Sequence, residues 1–187
     1  AMASLILIEA RLDPTVVIGT KMKEFDNTNL RIGNSKYLVI EACEYEDSFL
    51  NYHPQIGLIL NVEEDHLDYF KNLENIQKSF NQFAKQSEKI IVCDDIKKKK
   101  EDIKRLKETL LVPGDFNVLN ALCALTIARE LGIKDEITFK ALSKFKGTWR
   151  RFDIDDQSFD FKVINDYAHH PTEVEATLRG FREKFKN

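Results

Sequence analysis

Short, continuous apolar runs alternate along the chain with longer stretches in which apolar residues recur every three or four positions. The short runs are VVIG from Val16, YLVI from Tyr37, IGLIL from Ile56 and KIIVC from Lys89. Each is too brief for an ordinary helix, and their continuity fits strands covered on both faces, as in a parallel sheet. A further strand is expected over Phe161 to Asn165. Helical spacing is found at Leu73, Ile76, Phe80 and Phe83, a stripe that reads as core. It recurs at Ile96, Ile103, Leu106 and Leu110, which predicts a solvated amphipathic helix between Asp94 and Leu110 with the lysines Lys97 to Lys100 on its outer face. In the segment Leu111 to Ile133, Leu119, Leu122, Leu125, Ile127 and Ala128 build the buried side of a helix capped by Asp115 or Asn117. Ala3 to Ala10, Asp135 to Phe145 and Glu173 to Phe185 complete the helices, the last with Thr172 and Glu175 as a capping box. The turn-rich stretch Asp26 to Ser35 reads as a surface hairpin holding Asn29 and Arg31. Strands alternating with helices predict an α/β fold, a mostly parallel sheet flanked by helices.

Composition narrows the class. With 187 residues, 43% hydrophobic and 32% charged, seven Gly and four Pro, the chain has the profile of a folded globular protein. A net charge of −3 gives no electrostatic pull toward nucleic acid or an anionic membrane. No apolar run approaches the roughly 20 residues of a membrane span. The opening AMASLILIEA lacks the basic flank and cleavage site of a signal peptide. Cys43, Cys93 and Cys123 are scattered with no CxxC, which argues against a disulfide framework and fits a reducing cytoplasm. Cys43 reads as a small packed thiol.

Two runs end in chemistry. Glu41 closes YLVI, and Asp65 with His66 follows IGLIL. Open α/β sheets bind ligands at the carboxyl ends of their strands. If these two strands are neighbours, a carboxylate and an imidazole converge on one crevice. Carboxylate oxygens suit a hard divalent cation, and a neutral imidazole suits several metals. A lone Glu at a strand end is more often a solvated loop residue.

These residues also sit in recognisable motifs. EACEYEDSF from Glu41 and LNVEEDHLDYF from Leu60 resemble two segments of the Mur ligase family. LVPGDFNVLNA resembles a third, usually GxHNxxNA, with Phe116 in place of the His. FKGTWRRF matches the FxGxxRRF hinge, and NDYAHHPTE matches DDYAHHPTE with Asn165 for the first Asp. The resemblance covers nearly the whole chain. It implies the family's central, P-loop NTPase-like ATP-binding domain over residues 1–150, shortened near 94–112, followed at 151–187 by the beginning of the C-terminal α/β domain. The family's phosphate loop, GTxGKT, would lie just before residue 1, and Gly19-Thr20-Lys21 does not replace it.

What the resemblance implies for the site follows residue by residue. Glu41 and His66 would hold magnesium. Asn120, with Asn117 beside it, Arg151 and Asp166 would hold ATP; an arginine fork suits phosphate. Tyr167, His169 and His170 fall where the acceptor amino acid and the reacting centre are expected. From the residues alone, Asn120 reads equally as a helix-surface amide, Arg151 as a surface partner of Asp153 or Asp155, and the two histidines as a helix-start turn. The implied activity is ADP-forming ligation in peptidoglycan precursor synthesis, in the cytoplasm, joining L-alanine to UDP-N-acetylmuramate through an acyl phosphate. The chain by itself would be an inactive fragment. EACEYEDSFL favours this alanine-adding branch over the muropeptide-recycling tripeptide ligase, whose segment reads EADEYDTAFF. A non-catalytic, truncated Mur-like binding module is the alternative.

Overall fold

The computed structural model describes residues 1–155 and 161–185. In chain order the first elements are α1 (Met2–Glu9), β1 (Thr15–Met22), β2 (Thr28–Arg31) and β3 (Leu38–Ile40). Next come β4 (Ile56–Ile59), α2 (Leu67–Phe70), α3 (Leu73–Gln86) and β5 (Lys89–Val92). The chain continues through α4 (Lys100–Thr109), α5 (Asp115–Glu130) and α6 (Asp135–Leu142), then β6 (Asp153–Asp155), β7 (Val163–Asn165) and α7 (Pro171–Lys184). These elements form two compact units, one of residues 1–40 with 99–187 and the other of residues 41–98.

In the first unit β1 pairs in parallel with β3, Val16 opposite Val39, and antiparallel with β2, Val17 opposite Leu30. The hairpin expected within Asp26 to Ser35 is displaced: its strands are β1 and β2 and its turn lies at 23–27, so that stretch supplies only the second strand and the loop after it. Helix α1 is apolar nearly all round, so it has to be enclosed on several sides, and it packs against α5 and α6. Ile6, Leu106, Leu122, Leu125 and Leu142 are among the fully buried side chains there. Burying one such side chain contributes about 1.5–3 kcal/mol. β6 and β7 form an antiparallel pair at the base of α7.

In the second unit β4 and β5 run parallel in register from Ile56 opposite Lys89 to Ile59 opposite Val92. Helix α3 is capped by Asn72, whose side chain accepts the amide of Asn75, and it lays Ile76 and Phe83 inward. Phe83 stacks on Phe49 with centroids 5.0 Å apart, and Ile59 completes that core.

Several expectations are corrected. β3 and β4 are not sheet neighbours: β3 hydrogen-bonds to β1, and β4 to β5. Helix α4 begins at Lys100, because Cys93–Asp95 turns as a short 3-10 segment and Ile96 is extended. Helix α5 is capped by the backbone of Gly114 rather than by Asp115 or Asn117, and its buried positions include Val118, Ala121, Cys123 and Ala124 as well as Leu122 and Leu125. That is burial on several faces, not one stripe. At α7 the cap is His170, which accepts the amide of Thr172, while Glu175 pairs with Arg179 instead of closing a capping box. Cys93 and Cys123 are buried, but Cys43 is exposed, so packing does not account for it. No helix among the described residues is long and apolar enough to cross a membrane.

Candidate functional site

Past β3 the chain turns through a 3-10 segment, Tyr45–Asn51, that is interrupted where Glu46 and Asp47 take left-handed φ values of 53° and 57°. Past β4 it turns again, and His66 itself is left-handed at φ 51°. Non-glycine residues rarely adopt this region, so a surrounding structure has to hold them there. The two turns bring Glu44, Asp65 and His66 together, with one ligand atom from each lying within 4.8 Å of the others. His66 Nε2 stands 3.6 Å from Glu44 Oε1, and its Nδ1 stands 3.9 Å from Asp65 Oδ1. All three side chains are between 33% and 46% exposed, open enough to exchange a ligand.

Aromatic side chains surround this group. The Tyr45 ring lies 4.9 Å from the His66 ring, and its hydroxyl donates to Asp68 Oδ2 at 3.2 Å. Tyr69 donates to Asp47 Oδ2 at 2.6 Å. The accepting carboxylates hold both phenols above their usual ionisation range.

The second group is built on the β6–β7 pair. The Asp166 carboxylate accepts the backbone amides of Phe152 and Ala168, both at 2.8 Å. Glu173 on α7 meets Arg151 at 3.6 Å and His169 Nδ1 at 3.7 Å, and the His169 amide donates to it at 3.3 Å. The rings of Tyr167 and His169 are 5.6 Å apart, and Arg150 lies 4.9 Å above Tyr167. Trp149, half exposed, has two cations near its ring, Lys21 at 5.0 Å and Arg150 at 5.3 Å. Its amide donates to the Lys21 carbonyl, and its own carbonyl accepts from Thr20.

A model of the Mur ligase middle domain matches residues 20–110. The UDP-N-acetylmuramate–L-alanine ligase of Clostridium kluyveri is 39% identical over 220 aligned positions, which take in 95% of this chain and 48% of that protein. Its counterpart in Clostridium tetani is 36% identical with the same coverage. The crystal structure of the UDP-N-acetylmuramate-alanine ligase of Thermotoga maritima matches all of this chain and 51% of its own, with a TM-score of 0.83 at 27% identity. This chain is similar to the Mur ligase family along nearly its whole length. It spans about half the length of the curated relatives it matches.

Within this Mur ligase-like chain the expected site residues divide into those gathered and those set apart. Arg151, Asp166, Tyr167, His169 and His170 are drawn together around the start of α7. Arg151 meets Glu173, and of its two expected partners, Asp153 and Asp155, the side chain of Asp155 lies outside the described residues. Asn117 and Asn120 both lie on α5, but the Asn117 amide is committed to the Pro113 carbonyl at 2.7 Å. The Phe116 ring covers Gly114 so closely that a Cβ there would fall 2.5 Å from it. His66 is in the metal-sized group, whereas Glu41, exposed just past β3, is not a member of it. Glu44 was missed by sequence reasoning. Its signal was the spacing of acids and tyrosines in EYED, mirrored in DHLDY, rather than its position at a strand end.

Proposed function

We propose that the chain is the central ATP-binding part, residues 1–150, and the beginning of the C-terminal domain, residues 151–187, of a cytoplasmic ADP-forming ligase that joins L-alanine to UDP-N-acetylmuramate in peptidoglycan precursor synthesis. The observation that carries this reading is the convergence of Glu44, Asp65 and His66 on one point in a chain 39% identical to such a ligase. The alignment runs over more positions than the chain has residues, so the chain is shorter than the matching part of that ligase, as the shortened interval read near 94–112 requires.

The donor set fits a divalent cation. Two carboxylates offer the oxygen ligands that magnesium prefers, and the imidazole adds one neutral nitrogen. Glu44, Asp65 and His66 would hold the ion, with Glu41 close by in sequence as a further carboxylate; when bound, magnesium neutralises charge on the phosphates of ATP. The remaining residues bind and orient. Arg151 is released from Glu173 to grip phosphate, Asn120 and Asp166 hold the nucleoside, and Tyr167, His169 and His170 position the amino acid. In the reaction the sugar carboxylate takes the γ-phosphate of ATP and ADP leaves. The alanine amine then attacks the acyl carbon, a C–N bond forms, and phosphate departs while the amine loses a proton. Catalysis of this kind rests on positioning and on charge stabilisation.

The test is phosphate release in the presence of magnesium, ATP, L-alanine and UDP-N-acetylmuramate. The 187-residue chain, whose sequence holds no GTxGKT loop, is expected to release none above background. The same chain extended to the length of its relatives is expected to turn over with alanine and not with a tripeptide. Failure of the extended protein with alanine, or turnover by the short chain, overturns the corresponding part of the reading.

A further inference from the structure

Two segments of opposite composition order face each other at the carboxylate–imidazole group. Glu44-Tyr45-Glu46-Asp47 offers an aromatic then an acid, and Asp65-His66-Leu67-Asp68-Tyr69 offers an acid then an aromatic. Their hydrogen bonds are reciprocal. Tyr45 donates to Asp68, and Tyr69 donates to Asp47, at 3.2 and 2.6 Å. The tyrosine rings meet edge-on at 6.2 Å, and Asp47 is anchored from behind by the Ser79 hydroxyl of α3. Asp68 is held by the α2 turn, whose carbonyl accepts from Lys71.

We infer that this pair of tyrosine–aspartate bonds is a clasp that positions Glu44 against Asp65 and His66 for binding a divalent cation. The inference rests on the metal reading proposed above. Every end of the clasp is within three residues of a ligand: Tyr45 follows Glu44 by one and Asp47 by three, while Asp68 follows His66 by two and Tyr69 by three. The clasp closes across three left-handed residues, Glu46, Asp47 and His66, a conformation unfavourable for each of them in isolation. A backbone so disposed does not hold its shape unaided, and the two phenol bonds tie its two halves together. Neither tyrosine is buried; they are 36% and 39% exposed, so core packing is not their main work. The group they frame is the only set of three such ligands found among the described residues.

Removing a phenol hydroxyl changes no formal charge, so it separates positioning from attraction. Mn2+ titration of the 187-residue chain, followed by electron paramagnetic resonance, gives the readout, with unfolding midpoints recorded alongside. Tyr45→Phe and Tyr69→Phe are each expected to weaken Mn2+ binding by about fivefold to tenfold. That is at or below the low end of the cost of losing a direct hydrogen-bond partner of a ligand, because the phenols bond Asp68 and Asp47 beside the ligands rather than the ligands themselves. The double variant is expected to lose little more than either single one. Asp68→Asn, which keeps an oxygen for Tyr45, is expected to bind more tightly than Asp68→Ala, although both lack the same charge. Lys78→Ala, on the outer face of α3, is the unchanged control. Phenylalanine variants that bind within twofold of the parent, at unchanged midpoints, overturn the clasp while leaving the metal reading intact. Absence of Mn2+ binding by the parent chain overturns the metal reading and the clasp with it. If either phenylalanine variant fails to fold, the comparison of Asp68→Asn with Asp68→Ala decides.

Discussion

The Asp166 carboxylate accepts the backbone amide of Phe152, a buried residue held at a left-handed φ of 51°. One oxygen takes that amide and the other takes Ala168, so a single side chain fixes the bend that follows the double arginine. Charge-assisted bonds of this kind are worth about 1.5–3 kcal/mol each. Asp166→Ala is expected to destabilise the chain by about 2–3 kcal/mol in urea unfolding. Asp166→Asn, with one acceptor oxygen for two amides, is expected to fall between.

Gly180 brings α7 against Gly114, where an added Cβ would sit 3.5 Å from the Gly114 Cα and from the Phe152 ring. That is ordinary contact. Gly180→Ala therefore gains helix propensity without a clash, and a stabilisation of about 0.5–1 kcal/mol is expected. Gly180→Leu is expected to cost about 1–3 kcal/mol by forcing the helix away. Gly114→Ala fails for a different reason: φ there is 93° and the Phe116 ring stands in the way, so a loss of about 1–3 kcal/mol is expected. Thermal unfolding of the three variants orders them.

Arg129 forks to both oxygens of Asp102, at 2.8 and 2.9 Å, and also reaches Asp135, tying α4, α5 and α6. Both carboxyls are held below their usual range by its guanidinium. Asp102 is only 13% exposed, so Arg129→Ala leaves a nearly enclosed carboxylate without its partner. A loss of about 1–3 kcal/mol is expected, discounted for the exposure of the arginine. Arg129→Lys is expected to restore less than half, because a lysine cannot reproduce the fork.

Glu9 is paired with Lys140 and Lys144, both at 2.7 Å, and they depress its carboxyl from 4.5 to about 2. A depressed carboxyl contributes stability that is complete above its unfolded value and disappears as pH falls through its folded value. The contribution of Glu9 is therefore expected to fade between pH 4.5 and about 2. Glu9→Gln is expected to flatten the acid limb of a stability–pH curve in that window and to converge with the parent below it.

Strands and helices were legible wherever burial dictates pattern. YLVI and KIIVC do form strands, but the enclosure expected of them is partial: Ile91 of β5 is buried, whereas Leu38 of β3 is exposed and no β3 residue is fully buried; the α3 stripe is legible from its period. Which strands pair is a matter of distant segments, and nothing local in YLVI or IGLIL marks that β3 joins β1 while β4 joins β5. The acid and imidazole chemistry was visible in DHLDYF. The choice of Glu44 was not, because it depends on left-handed residues at Glu46 and Asp47 that neither glycine nor asparagine announces. Gly114 takes the cap position at φ 93°, which places Asp115 and Asn117 inside α5, where they pair with Lys107 and the Pro113 carbonyl instead.

Trp149 is the sole tryptophan in the chain, with Lys21 and Arg150 near its ring, and Arg150 also lies over Tyr167 among the residues gathered at α7. The intrinsic emission of the protein is thus a built-in optical reporter of that one bend. Its quenching or colour shift on adding a nucleotide would register the arginine pair moving, with no label attached.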